Sequence, residues 1–272
     1  MLLQSYLPQD MLIPNITPEE AMAQGVSALK ARGLRLLGSA QISAQIDAAI
    51  RERRPYSFVR LGDGELLTLA QERVMPCREI RRVGAFLPRS GVRVPDPAAR
   101  DELLQAVRDA SLVGVPTSRR PYFQPLLMKI AAVYGIDLTV MQLTTSTMNG
   151  AIYEQGYLMN ILQGRRIFVI GNAAAPLAAA LQRLGVGIAG MIAPVHGMAD
   201  VTRVVREAAA VDYDLAWVSA GVAAIPICTR LAAATSKPAI DFGSLANRLA
   251  AVPAESVLHS APNRQEGGDS SS

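Results

Sequence analysis

The chain has 272 residues, half of them hydrophobic and 18% charged, which is enough apolar material for one large domain with a sizeable core. Aromatics make up only 5%, with Trp217 the single tryptophan, so stacking platforms for nucleic acid are not expected. Two cysteines without Cys-x-x-Cys spacing exclude a disulfide framework and a zinc site and suit a reducing cytoplasm, and two histidines, His196 and His259, exclude a His-rich metal centre. The net charge of +4 is uneven: residues 1–136 carry 18 Lys/Arg against 13 Asp/Glu, and residues 137–272 carry 9 against 10. A basic first half attracts anions such as nucleotide phosphates, phospholipid headgroups or acidic glycans.

Residues 1–16 read as an irregular arm. Gln4, Pro8 and Asp10 interrupt its apolar character and no basic segment precedes it, so no signal peptide is expected, and no apolar run is long enough for a transmembrane helix. Thr17 as N-cap, Pro18 at the first helical position and Glu19-Glu20 in the first turn predict a helix to about residue 32. A second helix, 41–53, has Ile42, Ile46, Ala49 and Ile50 at helical spacing and ends in Arg51, Arg53 and Arg54 before Pro55.

Residues 57–61 then predict a short strand, followed by Gly62-Asp63-Gly64 and a helical run opened by Glu65. Ligands bind outside the carboxyl ends of strands in open α/β sheets. Asp63 and Glu65, two apart, lie where a turn aims both at one hard cation through oxygen. Arg60 offers a planar charge to phosphate or carboxylate, and Gly62 and Gly64 allow close backbone approach. A tight turn with a capping Asp63 and a structural Arg60–Glu65 pair accounts for the same spacing. Residues 73–95 follow as a long basic connection with six arginines (73, 78, 81, 82, 89 and 93) against Glu79 alone. It reads as a flap over the site, or as an exposed excursion with scattered charge.

From there helix and strand patterns alternate. Strands are expected at 111–115, 137–143, 166–170, 188–194, 214–219 and 237–242, with helices at 96–110, 121–134, 150–162, 173–184, 199–210 and from Ser219-Ala220-Gly221 to about 234. Each strand delivers a small or polar residue to its end: Thr145 in a hydroxyl-rich turn, Asn172 after Gly171, Ser219 and Gly221 before a helix, and Asp241. Ordinary caps and close packing explain these as well as ligand contacts do. The pattern predicts an α/β fold, a Rossmann-like and mostly parallel sheet of about seven strands flanked by helices. The expected organisation is an N-terminal helical arm packed on the domain (1–54), a catalytic domain (55–252) and a disordered tail (253–272).

The run Phe58-Val59-Arg60-Leu61-Gly62-Asp63-Gly64-Glu65 resembles the signature of GT-D-type glycosyltransferases, a bacterial family whose pattern reads roughly Val-Arg-Phe-Gly-Asp-Gly-Glu. Residues 217–224 and Ala239-Ile240-Asp241-Phe242-Gly243 resemble its closing strand–turn–helix–strand unit. The chain departs from the pattern at Leu61, which replaces an aromatic, and at Ser244, which replaces a histidine. The resemblance implies a GT-D-like fold and a cytoplasmic enzyme that moves a sugar from a nucleotide-sugar donor, such as a UDP-sugar, to a glycan, glycoprotein or lipid-linked acceptor. It implies a metal-assisted role for Asp63 and Glu65, with Mn²⁺ or Mg²⁺ on the donor diphosphate. The expected catalytic residues are Asp63, Glu65 and Asp241, and the donor-binding residues are Arg60, Gly62, Gly64, Thr145, Asn172, Ser219 and Gly221. The basic 73–93 loop is the expected point of any peripheral membrane contact. The competing expectations are a non-catalytic nucleotide- or sugar-phosphate-binding module of a surface-polysaccharide pathway and a different Rossmann-like enzyme. Leu67, where a dinucleotide fingerprint wants its third glycine, counts against the latter.

Overall fold

The structure, a computed structural model, describes Asp10 and residues 15–251. Most of the 1–16 arm and the whole 253–272 tail read from the sequence lie outside the described residues. The chain falls into two compact units that divide between Arg35 and Leu36.

In the first unit α1 (Pro18–Leu29) starts as its sequence dictates. The Thr17 hydroxyl accepts from the Glu20 N–H at 3.1 Å, and the Glu20 carboxylate accepts from the Thr17 N–H at 2.8 Å, so two orphan donors are satisfied reciprocally.

The second unit holds α2 (Ser39–Glu52), β1 (Tyr56–Arg60), α3 (Asp63–Ala70), α4 (Cys77–Val83), α5 (Pro97–Asp109), β2 (Leu112–Val115), α6 (Gln124–Tyr134), β3 (Leu143–Thr145), α7 (Met148–Glu154), α8 (Tyr157–Leu162), β4 (Arg166–Gly171), α9 (Ala174–Arg183), β5 (Gly187–Ile192), α10 (Val201–Ala209), β6 (Leu215–Ser219), α11 (Ala224–Thr235), β7 (Pro238–Asp241) and α12 (Leu245–Ala251). The seven strands form one sheet in the order β3-β2-β1-β7-β6-β4-β5, and every pairing is parallel.

Both faces of the sheet are covered, so the strands read as continuous apolar runs rather than alternating ones. Successive strand residues still serve opposite layers. Val59, Val113, Phe168 and Val218 face the layer that includes α3, α5, α6, α10 and α11. Phe58, Leu112, Val169 and Trp217 face the layer that includes α2, α8, α9 and α12. Trp217 stacks on Phe242 with centroids 3.8 Å apart. Crossovers that step toward β3 run over the first layer and those that step toward β5 run over the second, giving all of them one hand, as right-handed βαβ units require. All seven carboxyl ends therefore share one edge.

Three local expectations are corrected. The strand expected at 137–143 is a turn for most of its length, because the Asp137 carboxylate accepts from the Thr139 N–H at 2.9 Å and the strand begins only at Leu143. Val140, which made that run look like a strand, is 80% exposed. The 73–95 connection is not irregular: it folds into α4 and a 3-10 turn, Leu87–Ser90. The helix expected at 150–162 is two, broken by Gly156 at φ +78°.

Candidate functional site

The site is built from the end of β1 outward. Gly62 is extended and serves as N-cap of α3, so Asp63 is the first helical residue rather than part of a loop. Glu65 sits at the third position and its Oε2 reaches back to accept from the Gly62 N–H at 2.8 Å, while Asp63 Oδ1 accepts from the Gly64 N–H at 2.9 Å. Two acids in a first turn also face the positive end of the helix macrodipole. A side chain at Gly62 would press on Glu65 Oε2 at 2.9 Å, which explains the glycine before the turn.

The two carboxylates differ in setting. Asp63 is exposed, whereas Glu65 is partly buried and its carboxyl is pushed up to about 7. Burial is the main cause and the charge of Asp241 the next, with the Gly62 N–H and Arg60 acting the other way. The folded state thus holds a proton on Glu65 between its ordinary value and about pH 7, and stability attributable to this group falls as pH rises through that window. Glu65→Gln keeps an oxygen for the Gly62 N–H and removes the titration. It should raise the melting temperature relative to the native chain at pH 8 by a few degrees, at about 2–4 °C per kcal/mol, and have little effect at pH 5. Scanning calorimetry at the two pH values checks this.

Arg60 is not a free anion receptor. Its guanidinium donates to the Asp241 backbone oxygen at 3.0 Å, to Asp241 Oδ1 at 3.1 Å and to the Ser146 carbonyl at 3.1 Å. Its side chain is 16% exposed and that of Asp241 8%. The structural pair at this end of the sheet is therefore Arg60–Asp241, not Arg60–Glu65. Asp241 also accepts from the Gly243 N–H at 2.9 Å, and Asn149 donates to the Phe242 carbonyl at 2.7 Å, which fixes the chain as it leaves β7.

A second feature occupies the same edge across β6, β4 and β5. A cavity of about 530 Å³ is walled by Asn172 after β4, Val195 to Ala199 after β5, Ser219 to Gly221 after β6, and the segment from Pro88 to Arg93. Asn172 Oδ1 accepts from the Val195 N–H at 2.8 Å. The Ser219 hydroxyl oxygen is buried at the cavity wall without a hydrogen-bond partner. His196 is largely exposed and lies 3.2 Å from Asp200, whose carboxyl is held at about 2, chiefly by its hydrogen bond from Arg203.

The segment 87–93 is fastened over this cavity as a strap. Gly91 at φ +92° and Gly197 at φ +123° cross backbone to backbone, and a methyl on either would overlap the other's main chain. Gly221, at φ +57°, leaves room for the Ser90 carbonyl, which would lie 2.6 Å from a Cβ there. The strap also links the two parts of the edge. A methyl at Gly64 would touch Phe86, Val222 and Leu87 at 3.5–3.8 Å, and Pro88 and Gly221, the chain neighbours of two of these, line the cavity.

Of the residues expected from the sequence, Asn172, Ser219 and Gly221 thus meet at one cavity. Asp63, Glu65, Gly62 and Gly64 form the first turn of α3 beside it, and Arg60 and Asp241 form the buried pair behind. Thr145 ends β3, which β2 and β1 separate from β7, and shares its hydroxyl with Thr147 at 3.3 Å rather than lining the cavity. The glycine clasp and the unpartnered Ser219 hydroxyl had no signal in the sequence, since each depends on residues far apart in the chain.

Among the described residues no group of three or more His, Cys, Asp and Glu is placed to hold a metal ion. The donor set at α3 is two carboxylates, each with one oxygen left by the turn's own hydrogen bonds. That set fits a hard ion that brings substrate phosphates and water as its other ligands, and does not fit an all-protein cage.

A family model described as a GT-D fold-like domain matches residues 37–249. Two solved structures are similar in fold. One, a selenomethionine-substituted domain of unknown function 1792, is 15% identical with a TM-score of 0.53, over 78% of this chain and 79% of that one. The other, a domain of unknown function 1792 described as having a distinct glycosyltransferase fold, is 14% identical with a TM-score of 0.51, over 81% and 82%. No curated protein matches the sequence.

Proposed function

Since this chain belongs to the GT-D fold-like domain family, we propose that it is a glycosyltransferase that moves a sugar from a nucleotide-sugar donor to an acceptor hydroxyl. The observation that carries the reading is the first turn of α3. An exposed carboxylate and a partly buried one whose proton affinity is tuned to neutral pH open a helix at the carboxyl edge of a parallel sheet, next to a cavity large enough for a sugar.

Asp63 would hold Mg²⁺ or Mn²⁺ on the donor diphosphate, with water and the phosphates as its other ligands, which leaves Glu65 free as the base, and the ion when bound supplies neutralisation of the leaving group's charge. The chain's own residues do the rest. Arg60, engaged by Asp241 and the Ser146 carbonyl, holds the ends of β1 and β7 so that the α3 turn faces the donor. Gly62 leaves room for the Glu65 carboxylate and Gly64 for Phe86, Leu87 and Val222, which seats the α3 turn beside the cavity, and Asn172, Ser219 and Gly221 line the cavity that would take the donor. The acceptor oxygen forms a bond to the anomeric carbon as the bond from that carbon to the diphosphate breaks. The nucleoside diphosphate leaves with the electron pair, and the acceptor's proton passes to Glu65. Asp241, occupied by Arg60 and the Gly243 N–H, acts on this step as the charge that raises Glu65.

UDP-glucose and other nucleotide sugars with Mn²⁺ should give measurable donor hydrolysis or transfer. Asp63→Asn and Glu65→Gln should each lower the rate by about 100-fold or more while leaving the circular dichroism spectrum unchanged. Undiminished turnover in both variants sinks the assignment. Tight nucleotide binding with no turnover of any donor points instead to a binding module.

A further inference from the structure

The six arginines between residues 73 and 93 have only Glu79 among them, and among the described residues none of the six forms an ion pair. Two of them, Arg89 and Arg93, are exposed on the strap and line the 530 Å³ cavity. One acid, Asp96, lines the cavity with them. Asp96 accepts from the Ala99 N–H at 3.0 Å, and Asp200 is held by Arg203 and the His196 backbone.

The strap also borders a groove of about 330 Å³. Its wall is apolar, made by Gly84, Ala85, Leu87 and Val94, and Arg81 stands at its margin. Pro88 and Arg93 line both this groove and the cavity, so the two spaces are neighbours with the strap as their shared wall. A cationic cavity beside an apolar groove, one strap apart, is complementary to a molecule that is anionic at one end and apolar at the other.

We infer that the acceptor is carried on a lipid phosphate or diphosphate, its head held by Arg89 and Arg93 at the cavity's outer wall and the start of its hydrocarbon chain lying in the 84–94 groove. This deepens the glycosyltransferase reading and rests on it: the strand ends floor the cavity for the donor, and the strap presents the acceptor from the opposite side, as a transfer between two bound molecules requires. A lipid-borne acceptor needs no membrane-spanning helix in the enzyme. None of the described helices is long and apolar enough to cross a membrane.

The test uses the full chain in detergent below its micelle concentration, with calorimetric titration of farnesyl diphosphate, inorganic diphosphate and farnesol. Farnesyl diphosphate should bind at least about 10-fold tighter than inorganic diphosphate, because burying even a few methylenes supplies that factor, and farnesol should bind more weakly than either. The double variant Arg89→Ala/Arg93→Ala should weaken both phosphates by about 10-fold or more. Ala85→Asp, at an exposed position in the groove, should weaken farnesyl diphosphate and leave inorganic diphosphate unchanged. Saturating UDP should not displace farnesyl diphosphate. Equal affinity for the two phosphates, strap variants that bind like the native chain, or displacement by UDP each overturns the inference. Normal donor turnover with no preference for the lipid phosphate faults this inference alone. Strap-dependent lipid binding with no donor turnover faults the glycosyltransferase reading alone.

Discussion

Arg60→Ala should cost about 3–5 kcal/mol of folding stability, a large part of the ~5–15 kcal/mol that separates a folded domain from its unfolded chain. The guanidinium lies between the ends of β1 and β7 and reaches the Ser146 carbonyl after β3, so one side chain ties three strand ends. Its removal leaves the Asp241 carboxylate, only 8% exposed, without a cation. The cost is therefore mostly that of an uncompensated buried charge, and the double variant Arg60→Met/Asp241→Asn should recover much of it. Urea unfolding of the three proteins checks this. A loss below about 1 kcal/mol in the single variant would mean that the pair is loose and that Arg60 is available to a ligand.

Gly197→Ala should release the strap. At φ +123° and ψ −150° the residue occupies backbone space that is essentially glycine's alone, with a cost of about 1–3 kcal/mol for any other residue. A methyl there also overlaps Gly91, so the alanine is accommodated only if the two segments part. Trypsin should then cut at Arg89 and Arg93 many times faster than in the native chain, hydrogen exchange should rise over 87–93, and transfer activity should fall. Gly25→Ala, where a methyl meets nothing within 4 Å, is the control and should change none of these. Slow cleavage in Gly197→Ala would show that the strap is held by something other than the glycine crossing.

Much of this architecture was legible in the sequence because it is local. Apolar runs bounded by Gly, Asn and Ser point to about seven strands of a mostly parallel sheet, and Thr17-Pro18-Glu19-Glu20 announces a helix start that the structure contains, whereas the helix expected to open at Glu65 starts two residues earlier, at Asp63. Where local signals misled, a specific interaction explains it. Leu138, Val140 and Met141 resemble a strand, but the Asp137 side chain closes a turn before they can pair. The site was legible in its residues and not in their partners. Arg60 and Asp241 were each read as facing a ligand, and each instead faces the other, a contact across 181 positions that no spacing rule reveals. The basic connection reads as charge without structure, because the glycines that fasten it, 91 and 197, lie far apart in the chain.

The clasp that holds the strap is made of two hydrogens where side chains would otherwise stand. The anchor rests on Gly91, Gly197 and Gly221, and the exposed side chains at 85, 89 and 93 take no part in it. A library randomised at those three codons should keep its melting temperature while its affinity for anionic ligands drifts, which makes this short segment a handle for changing what the cavity binds.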